Sequence, residues 1–131
     1  MLPHQGIPTM TCTTTQMLTL AGAGAGQSIE DGYILGRVLQ DYLQQTRETD
    51  DLEPYMHLYQ QVRVPRAHRA QATARQAGDV YEMQTDDMIG KKYDDCLPIV
   101  RDQLRDRMRW MWSENLDQAY ETTREDFRKS R

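Results

Sequence analysis

The chain has few of the features that mark secreted, membrane-spanning or nucleic-acid-binding proteins. No run approaches the roughly 18 consecutive apolar residues that a membrane-spanning helix requires. The only two cysteines, Cys12 and Cys96, form neither a disulfide framework nor a CxxC metal motif. We therefore expect reduced thiols, a cytoplasmic location and no bound metal. Basic residues number 16 against 20 acidic ones, a net charge of −4, which argues against a nucleic-acid partner and against binding to a membrane surface.

Strand-like alternation is also missing, whereas apolar residues recur at helical spacing through most of the chain. Residues 1–27 are rich in Thr, Gly and Ala and show no apolar period, which indicates a loop. Ser28 and Asp31 then form a capping box, which predicts a helix that starts at Ser28 and ends near Thr46. Its apolar positions are Ile29, Gly32, Tyr33, Leu35, Gly36, Leu39, Tyr42 and Leu43.

Two glycines of this first predicted helix lie on one of its faces. Gly32 and Gly36 are four residues apart, and each lowers helix propensity by about 1 kcal/mol relative to alanine. Because a glycine has no side chain, this spacing predicts that the face packs closely against another element.

Three or four further amphipathic helices are predicted, so the fold class is mainly α. The segment 52–62 is followed by Pro65, which lacks an amide donor, and we expect a kink or break there. The segment 66–83 continues as helix, and a loop or turn follows over residues 85–93. The packed face of 66–83 is predicted to contain Ala67, Ala70, Ala74, Ala77 and Tyr81.

The last third of the chain predicts one long helix and one short helix. The long helix begins at about Asp94 or Leu97 and continues through Trp112. A separate short helix covers 116–127, and the tail at 128–131 is expected to fray.

Two short phrases near the start of the chain are separated by a sixteen-residue insert. Residues 2–6 read LPHQG and residues 23–31 read AGAGQSIED, so deleting residues 7–22 fuses them into LPHQGAGAGQSIEDGYILGR. Glycines let the backbone approach a planar ring, and the first amides of a helix can stabilise a phosphate or the diffuse negative charge of a reduced redox ring. Many such loops are only flexible turns. This one is not a dinucleotide-binding fingerprint, because it follows no strand.

The fused phrase is followed by LYQQVRVPRAHR at residues 58–69 and MRWMWSENLD at residues 108–117. In this order the three stretches resemble the C-terminal part of FAD-dependent aromatic hydroxylases, the salicylate-hydroxylase-like flavoprotein monooxygenases. The resemblance implies that residues 1–27 are a flavin loop with an insert and residues 28–131 the helical C-terminal region of an α/β enzyme. The dinucleotide-binding N-terminal part is then expected to be missing. The implied flavin contacts, made chiefly through backbone, are Pro3, Gly24, Ala25 and Gly26.

Two functions stay open at this point. The resemblance implies an FAD-dependent monooxygenase that hydroxylates a small aromatic or polyketide-type substrate with NAD(P)H and O2, and it identifies no catalytic residue. The alternative is a non-catalytic helical fragment, or a subunit that docks on a separate flavin-binding chain, because the sequence contains no ADP-binding motif. A hypothesis for residues 7–22 is a short intron retained in frame, which sequencing of transcripts would test.

Several charged and aromatic residues are expected to have structural roles. Trp110 and Trp112 lie two residues apart and so on different faces of a helix, which predicts one core position and one exposed position. A string of arginines is predicted to form ion pairs on the helix surface, or to cover sheet edges, rather than to bind phosphate. These arginines are Arg63, Arg66, Arg69 and Arg75.

Overall fold

A computed structural model describes residues 24–45 and 51–131 of the 131-residue chain. No strand occurs in these two ranges, so the prediction of a mainly α fold is confirmed. The helices are α1 (Gly24–Gln45), α2 (Glu53–Tyr81), α3 (Tyr93–Arg105), α4 (Arg109–Ser113) and α5 (Leu116–Ser130). Pro3, Cys12, the insert at 7–22 and the predicted helix end at Thr46 lie outside the described residues. None of the described helices is long and apolar enough to cross a membrane.

The predicted capping box at Ser28 is wrong. Helix α1 is already helical at Gly24, and Ser28 lies in its second turn, where its hydroxyl donates to the Gly24 carbonyl at 3.2 Å. Asp31 is instead held by Arg63 of α2. The residues before Ser28 are already helical, and Arg63 of α2 donates hydrogen bonds to Gln27 in that turn. At its other end α1 reaches Gln45, close to the predicted end.

Helix α2 passes through Pro65 without the predicted break. A proline inside a helix costs about 3 kcal/mol, through a lost hydrogen bond and a steric clash. Val62 and Arg63 before the proline and Ala67 after it are all buried, so the packing of this stretch offsets that cost. Four of the five residues predicted on the next packed face are buried, whereas Tyr81 is exposed. The buried four are Ala67, Ala70, Ala74 and Ala77.

The core lies where α1, α2 and α5 meet. Edge-to-face contacts join Tyr55 of α2 to Tyr42 of α1 and Phe127 of α5, with ring centroids 5.4 and 5.2 Å apart. A smaller cluster of Val80, Met88 and Cys96 packs α3 against the end of α2, and Cys96 is a buried free thiol. The buried residues of the main cluster are Ile34, Val38, Tyr55, Leu58, Tyr59, Val62 and Tyr120.

Ion pairs also fasten α5 to α1. The Tyr120 hydroxyl donates to Asp41 at 2.5 Å, and Arg124 donates to the same carboxylate at 2.7 Å. Arg37 donates to Asp117 at 2.7 Å, one turn closer to the start of α5. Burial, followed by the hydrogen bond to Asp41, raises the pKa of Tyr120 well above its usual value. These contacts place Arg37 and Asp41 of α1 against α5.

The predicted long helix in the last third is divided in two. Residues 106–108 form a turn between α3 and α4, and the predicted loop over 85–93 is confirmed. Asn115 caps α5, because its side chain accepts a hydrogen bond from the Gln118 amide at 3.1 Å. Helix α5 continues to Ser130, beyond the predicted end at residue 127.

Close packing at Gly32 and Gly36 is not observed. Both glycines are exposed, and a Cβ built on either would meet nothing within 4 Å. The prediction is therefore wrong, because α1 packs on α2 and α5 through the opposite face, where Ile34 and Val38 are fully buried.

Candidate functional site

The glycine-rich segment singled out in the sequence forms the first turn of α1. The first four amides of a helix have no carbonyl acceptor within it and carry a partial positive charge. Ala25 and Gly26 are exposed, Gly24 is half-buried, and a Cβ added to either glycine would meet nothing within 4 Å. The space beside this turn is therefore open, and its backbone has no side chain at Gly24 or Gly26 to block a flat ligand.

Arg63 of α2 donates hydrogen bonds to residues of α1 that follow this turn. Its side chain is fully buried, and each of its three nitrogens is used. Nη2 donates to the carbonyl of Gln27 at 3.3 Å and to its side-chain oxygen at 3.0 Å. Nη1 donates to Glu30 at 2.8 Å, and Nε donates to Asp31 at 2.7 Å. Through one guanidinium, Arg63 thus contacts three residues of α1 that come after the glycine turn.

Arg66, one turn further along α2, joins three elements. It donates to both oxygens of Glu30, at 2.6 and 2.7 Å, in a bidentate pair. It also donates to Glu114 at 2.5 Å and to the Met111 carbonyl of α4 at 2.8 Å. The hydrogen bonds to Glu30 contribute most to raising the pKa of Arg66 above its ordinary value, so this side chain stays positively charged.

The two carboxylates in this network are neutralised by the two arginines. Burial alone would raise the pKa of the Glu30 carboxyl, but the hydrogen bonds and charge of Arg66, followed by those of Arg63, lower it below its ordinary value of 4.5. Glu30 and Asp31 contribute two negative charges, and Arg63 and Arg66 contribute two positive charges. The two acidic residues in the second turn of α1 are therefore not unpaired charges.

Trp110 of α4 is covered by arginines of α2. The Arg69 guanidinium lies 4.1 Å from the Trp110 ring centroid and donates to Glu114 at 2.9 Å. Arg66 lies over the same ring at 5.3 Å. Trp110 is half-buried and Trp112 is 79% exposed, so the two indoles occupy different faces, as predicted.

The sequence-based expectations for the arginines are partly confirmed. Ion pairs form at Arg63, Arg66 and Arg69, but the first two are buried between helices rather than placed on the surface. Of the predicted flavin-contact residues, Gly24, Ala25 and Gly26 share one exposed turn, and Pro3 lies outside the described residues. Gln27 was not predicted as a site residue. Its contribution comes from a buried hydrogen bond with Arg63, which lies 36 residues away in sequence.

An open groove of about 760 Å³ lies between α2 and α5. Its charged lining consists of Arg66, Arg69 and Glu114, which are already paired with one another. In the described part of the chain, no cluster of His, Cys, Asp and Glu has the composition of a metal site.

Sequence comparison identifies the class of protein to which this chain is related. The chain is a homologue of the FAD-dependent aromatic monooxygenases, and it corresponds to a part of such an enzyme. It is 35% and 37% identical to two salicylate hydroxylases of Pseudomonas putida, over 77% of this chain and 21% of each relative. It is 29% identical to a dual trans-enoyl reductase/FAD-dependent monooxygenase of Aspergillus terreus, over 82% of this chain and 16% of that protein.

The chain spans about a fifth of the length of these two salicylate hydroxylases. No protein-family model matches the chain. No solved structure matches it either.

Proposed function

We propose that this chain is the helical part of an FAD-dependent monooxygenase, and that the first turn of α1 contacts the flavin. The observation that carries the proposal is the open turn of Gly24, Ala25 and Gly26, followed directly by residues of α1 that two arginines of α2 hold in place. The homology to salicylate hydroxylases supports the same assignment.

The residues present fit the ring part of the cofactor. The backbone of Gly24, Ala25 and Gly26 would lie against the isoalloxazine, and Pro3 is proposed as a further contact from the resemblance alone. Unpaired amides of a helix end favour negative charge beside them. When bound, the flavin supplies the redox and oxygen chemistry, while this chain contributes binding, orientation and a favourable electrostatic environment.

The complete protein would hydroxylate a small aromatic or polyketide-type substrate with NAD(P)H and O2. The described residues contain no strand and therefore no strand–turn–helix unit for the ADP half of FAD. Other protein has to provide that unit, either further sequence of the same protein or a separate flavin-binding chain.

A second candidate function is a non-catalytic helical fragment without a cofactor of its own. It is favoured by the same lack of an ADP-binding unit in the described residues and by the small share of the relatives that the chain spans. The two candidates differ in one property, which is the response of the glycine turn to a flavin.

A titration followed by nuclear magnetic resonance tests the proposal. Riboflavin added to the isotopically labelled protein should shift the amide signals of residues 24–27 most strongly. Gly26→Leu should abolish the shifts, because its side chain fills the open space beside the turn. Ala72→Leu enlarges an exposed small residue on a different helix, α2, and should leave the shifts intact. Shifts that are absent, or centred on other residues, favour the fragment.

A further inference from the structure

The first ten residues of α1 contain one buried side chain, that of Gln27. It is 1% exposed, whereas every other residue of 24–33 is exposed or half-buried. The next buried residues of the helix are Ile34, Val38 and Asp41. Because Gln27 precedes Ile34 by seven residues, about two helical turns, the two residues lie on the same face. Gln27 is therefore a polar residue at a core position, and it anchors the start of the helix.

The glycine turn at 24–26 has no side-chain anchor of its own. Ala25 is exposed, and Gly24 and Gly26 have no side chain. Glycine also disfavours the helical conformation relative to alanine. The first turn of α1 contains no acidic residue that would stabilise the helix dipole. The conformation of the turn therefore depends on the residue that follows it, which is Gln27.

One nitrogen of Arg63 holds Gln27 at two points. Nη2 donates to the side-chain oxygen of Gln27 at 3.0 Å and to its backbone carbonyl at 3.3 Å. Arg63 is itself fixed, because its side chain is fully buried and pairs with Glu30 and Asp31. The backbone and the side chain of Gln27 are thus tied to the same rigid group of α2.

Orientation explains a glutamine at this position better than stability does. Burial of an amide is unfavourable unless the amide is hydrogen-bonded, and the net gain from a buried hydrogen bond is small. Methionine has a similar length and would fill the same space without that cost. A hydrogen bond, however, has a preferred distance and direction, which an apolar contact lacks. The glutamine therefore provides geometry rather than additional stability.

We propose that Gln27 is a positioning residue. Held by Arg63, it sets the conformation of the turn at 24–26 and so the affinity of that turn for a flavin. Gln27 acts through the backbone next to Gly26, since its own side chain is buried against α2. The part of this inference that concerns the flavin rests on the proposed function. The part that concerns the order of the turn does not.

Gln27→Met tests the proposal, because it keeps the volume and removes the amide oxygen. Backbone relaxation measured by nuclear magnetic resonance should show that order parameters at 24–26 fall from about 0.85 to below about 0.6, whereas those of Ile34 and Val38 stay unchanged. The dissociation constant for riboflavin should rise at least about tenfold, because the loosened turn must be ordered on binding.

Val80→Ala is the matched control for a general loss of stability. Val80 is fully buried in the small cluster with Met88 and Cys96 at the other end of α2. The substitution leaves a cavity and should lower the urea midpoint of unfolding. We expect it to change neither the order of the turn nor the affinity for riboflavin. A merely structural role of Gln27 would make the two variants behave alike.

A double-mutant cycle tests whether Gln27 acts through Arg63. Arg63→Lys keeps a positive charge beside Glu30 and Asp31 but lacks the forked donors that reach Gln27. It should also weaken riboflavin binding, and the double variant should bind about as weakly as the weaker single variant, because both changes remove one contact. Effects that multiply to about 100-fold would show independent action and overturn the proposal.

The outcomes separate this inference from the proposed function. Unaltered protein that does not respond to riboflavin contradicts the proposed function, and the order parameters then decide the inference alone. Lower order at 24–26 in Gln27→Met, with normal order in Val80→Ala, supports it. Unchanged order in Gln27→Met overturns it. Should Gln27→Met fail to fold, the same two measurements on Arg63→Lys decide.

Discussion

At the scale of single residues, two arginines of α2 determine where the glycine turn lies. Arg63 contacts Gln27, Glu30 and Asp31 with all three of its nitrogens, and Arg66 adds a bidentate pair with Glu30. The planar fork of a guanidinium suits this role, because its donors have fixed directions and it stays charged. Lysine offers one charged point and cannot reproduce the geometry.

Replacing Arg63 should therefore be costly. Arg63→Ala leaves two carboxylates without one of their partners, and we expect the free energy of unfolding to fall by about 3–5 kcal/mol. Arg63→Lys should have a smaller effect, since the charge remains. Urea unfolding followed by circular dichroism measures both. Arg75→Ala, at an exposed position of the same helix, should change stability by less than about 0.5 kcal/mol. An equally small effect of Arg63→Ala would contradict the network.

The lowered pKa of Glu30 gives a testable dependence on pH. Because this pKa is lower in the folded protein, the stabilisation from Glu30 is present above its ordinary value of 4.5 and is lost as pH falls through the lower folded value. The stability difference between the unaltered protein and Glu30→Gln should be largest near neutral pH and should shrink in acid. Unfolding measured at several pH values checks this, with Glu125→Gln, at an exposed position, as control. A difference independent of pH would be inconsistent with the pairing.

The residue scale also shows what a sequence can predict about such a network. The three-residue spacing of Arg63, Arg66 and Arg69 correctly indicated ion pairs. Their burial was not predictable, because the partners of Arg63 and Arg66 lie on other helices and 32 to 48 residues away. Helical periodicity reports which residues share a face, and it carries no information on which helix covers that face.

At the scale of elements, α2 organises the described fold. It contacts α1, α3 and α5, and its middle section carries both buried arginines. Pro65 lies between them, and local propensity predicts an interruption at this point. The buried residues on both sides of the proline keep the helix continuous, so tertiary packing overrides the local preference.

Pro65, inside α2, should lower the free energy of unfolding by a measurable amount. Pro65→Ala restores one amide donor to the helix, and we expect stability to increase by about 1–3 kcal/mol after allowing for the more flexible unfolded chain. Thermal unfolding provides the measurement. Pro54 lies in the first turn of α2, where the amide has no helical acceptor, so Pro54→Ala should bring no gain. Equal effects of the two substitutions would show that Pro65 is not strained by its helical position.

The start of α1 illustrates a second limit of local patterns. The Ser28 and Asp31 pair has the spacing of a capping box, yet both side chains bind elsewhere. The loop over 85–93 and the separate helix α5 were predictable, because periodicity and turn residues change together there. The start of α1 was not predictable, because Arg63 of α2 binds the Asp31 carboxylate that the capping-box pattern assigns to a local cap.

At the scale of the whole molecule, α1 has three distinct surfaces. Its inner face joins α2 and α5, the space around Gly24 and Gly26 in its first turn is open, and its outer side leaves Ile29 and Leu43 exposed among the described residues. A helix with two apolar sides is typical of the interior of a larger body. This agrees with a chain that spans about a fifth of its monooxygenase relatives.

The family and the mainly α fold were predictable from sequence, because three ordered stretches and a helical period carry that information. The sequence did not predict that the face at Gly32 and Gly36 is exposed. Glycine spacing indicates that close approach is possible, and only the packing of Ile34 and Val38 decides which side of the helix is used. The flavin contacts of Pro3, Gly24, Ala25 and Gly26 stay predictions.

The most direct test of the central claim replaces a segment in a related enzyme. The part of a Pseudomonas putida salicylate hydroxylase that corresponds to residues 24–131 of this chain would be exchanged for those residues. We predict that the purified chimera retains FAD, seen as visible flavin absorbance, and that Gly26→Leu within the exchanged segment lowers the flavin content. A folded chimera that purifies without flavin, or one in which Gly26→Leu has no effect, would contradict the account.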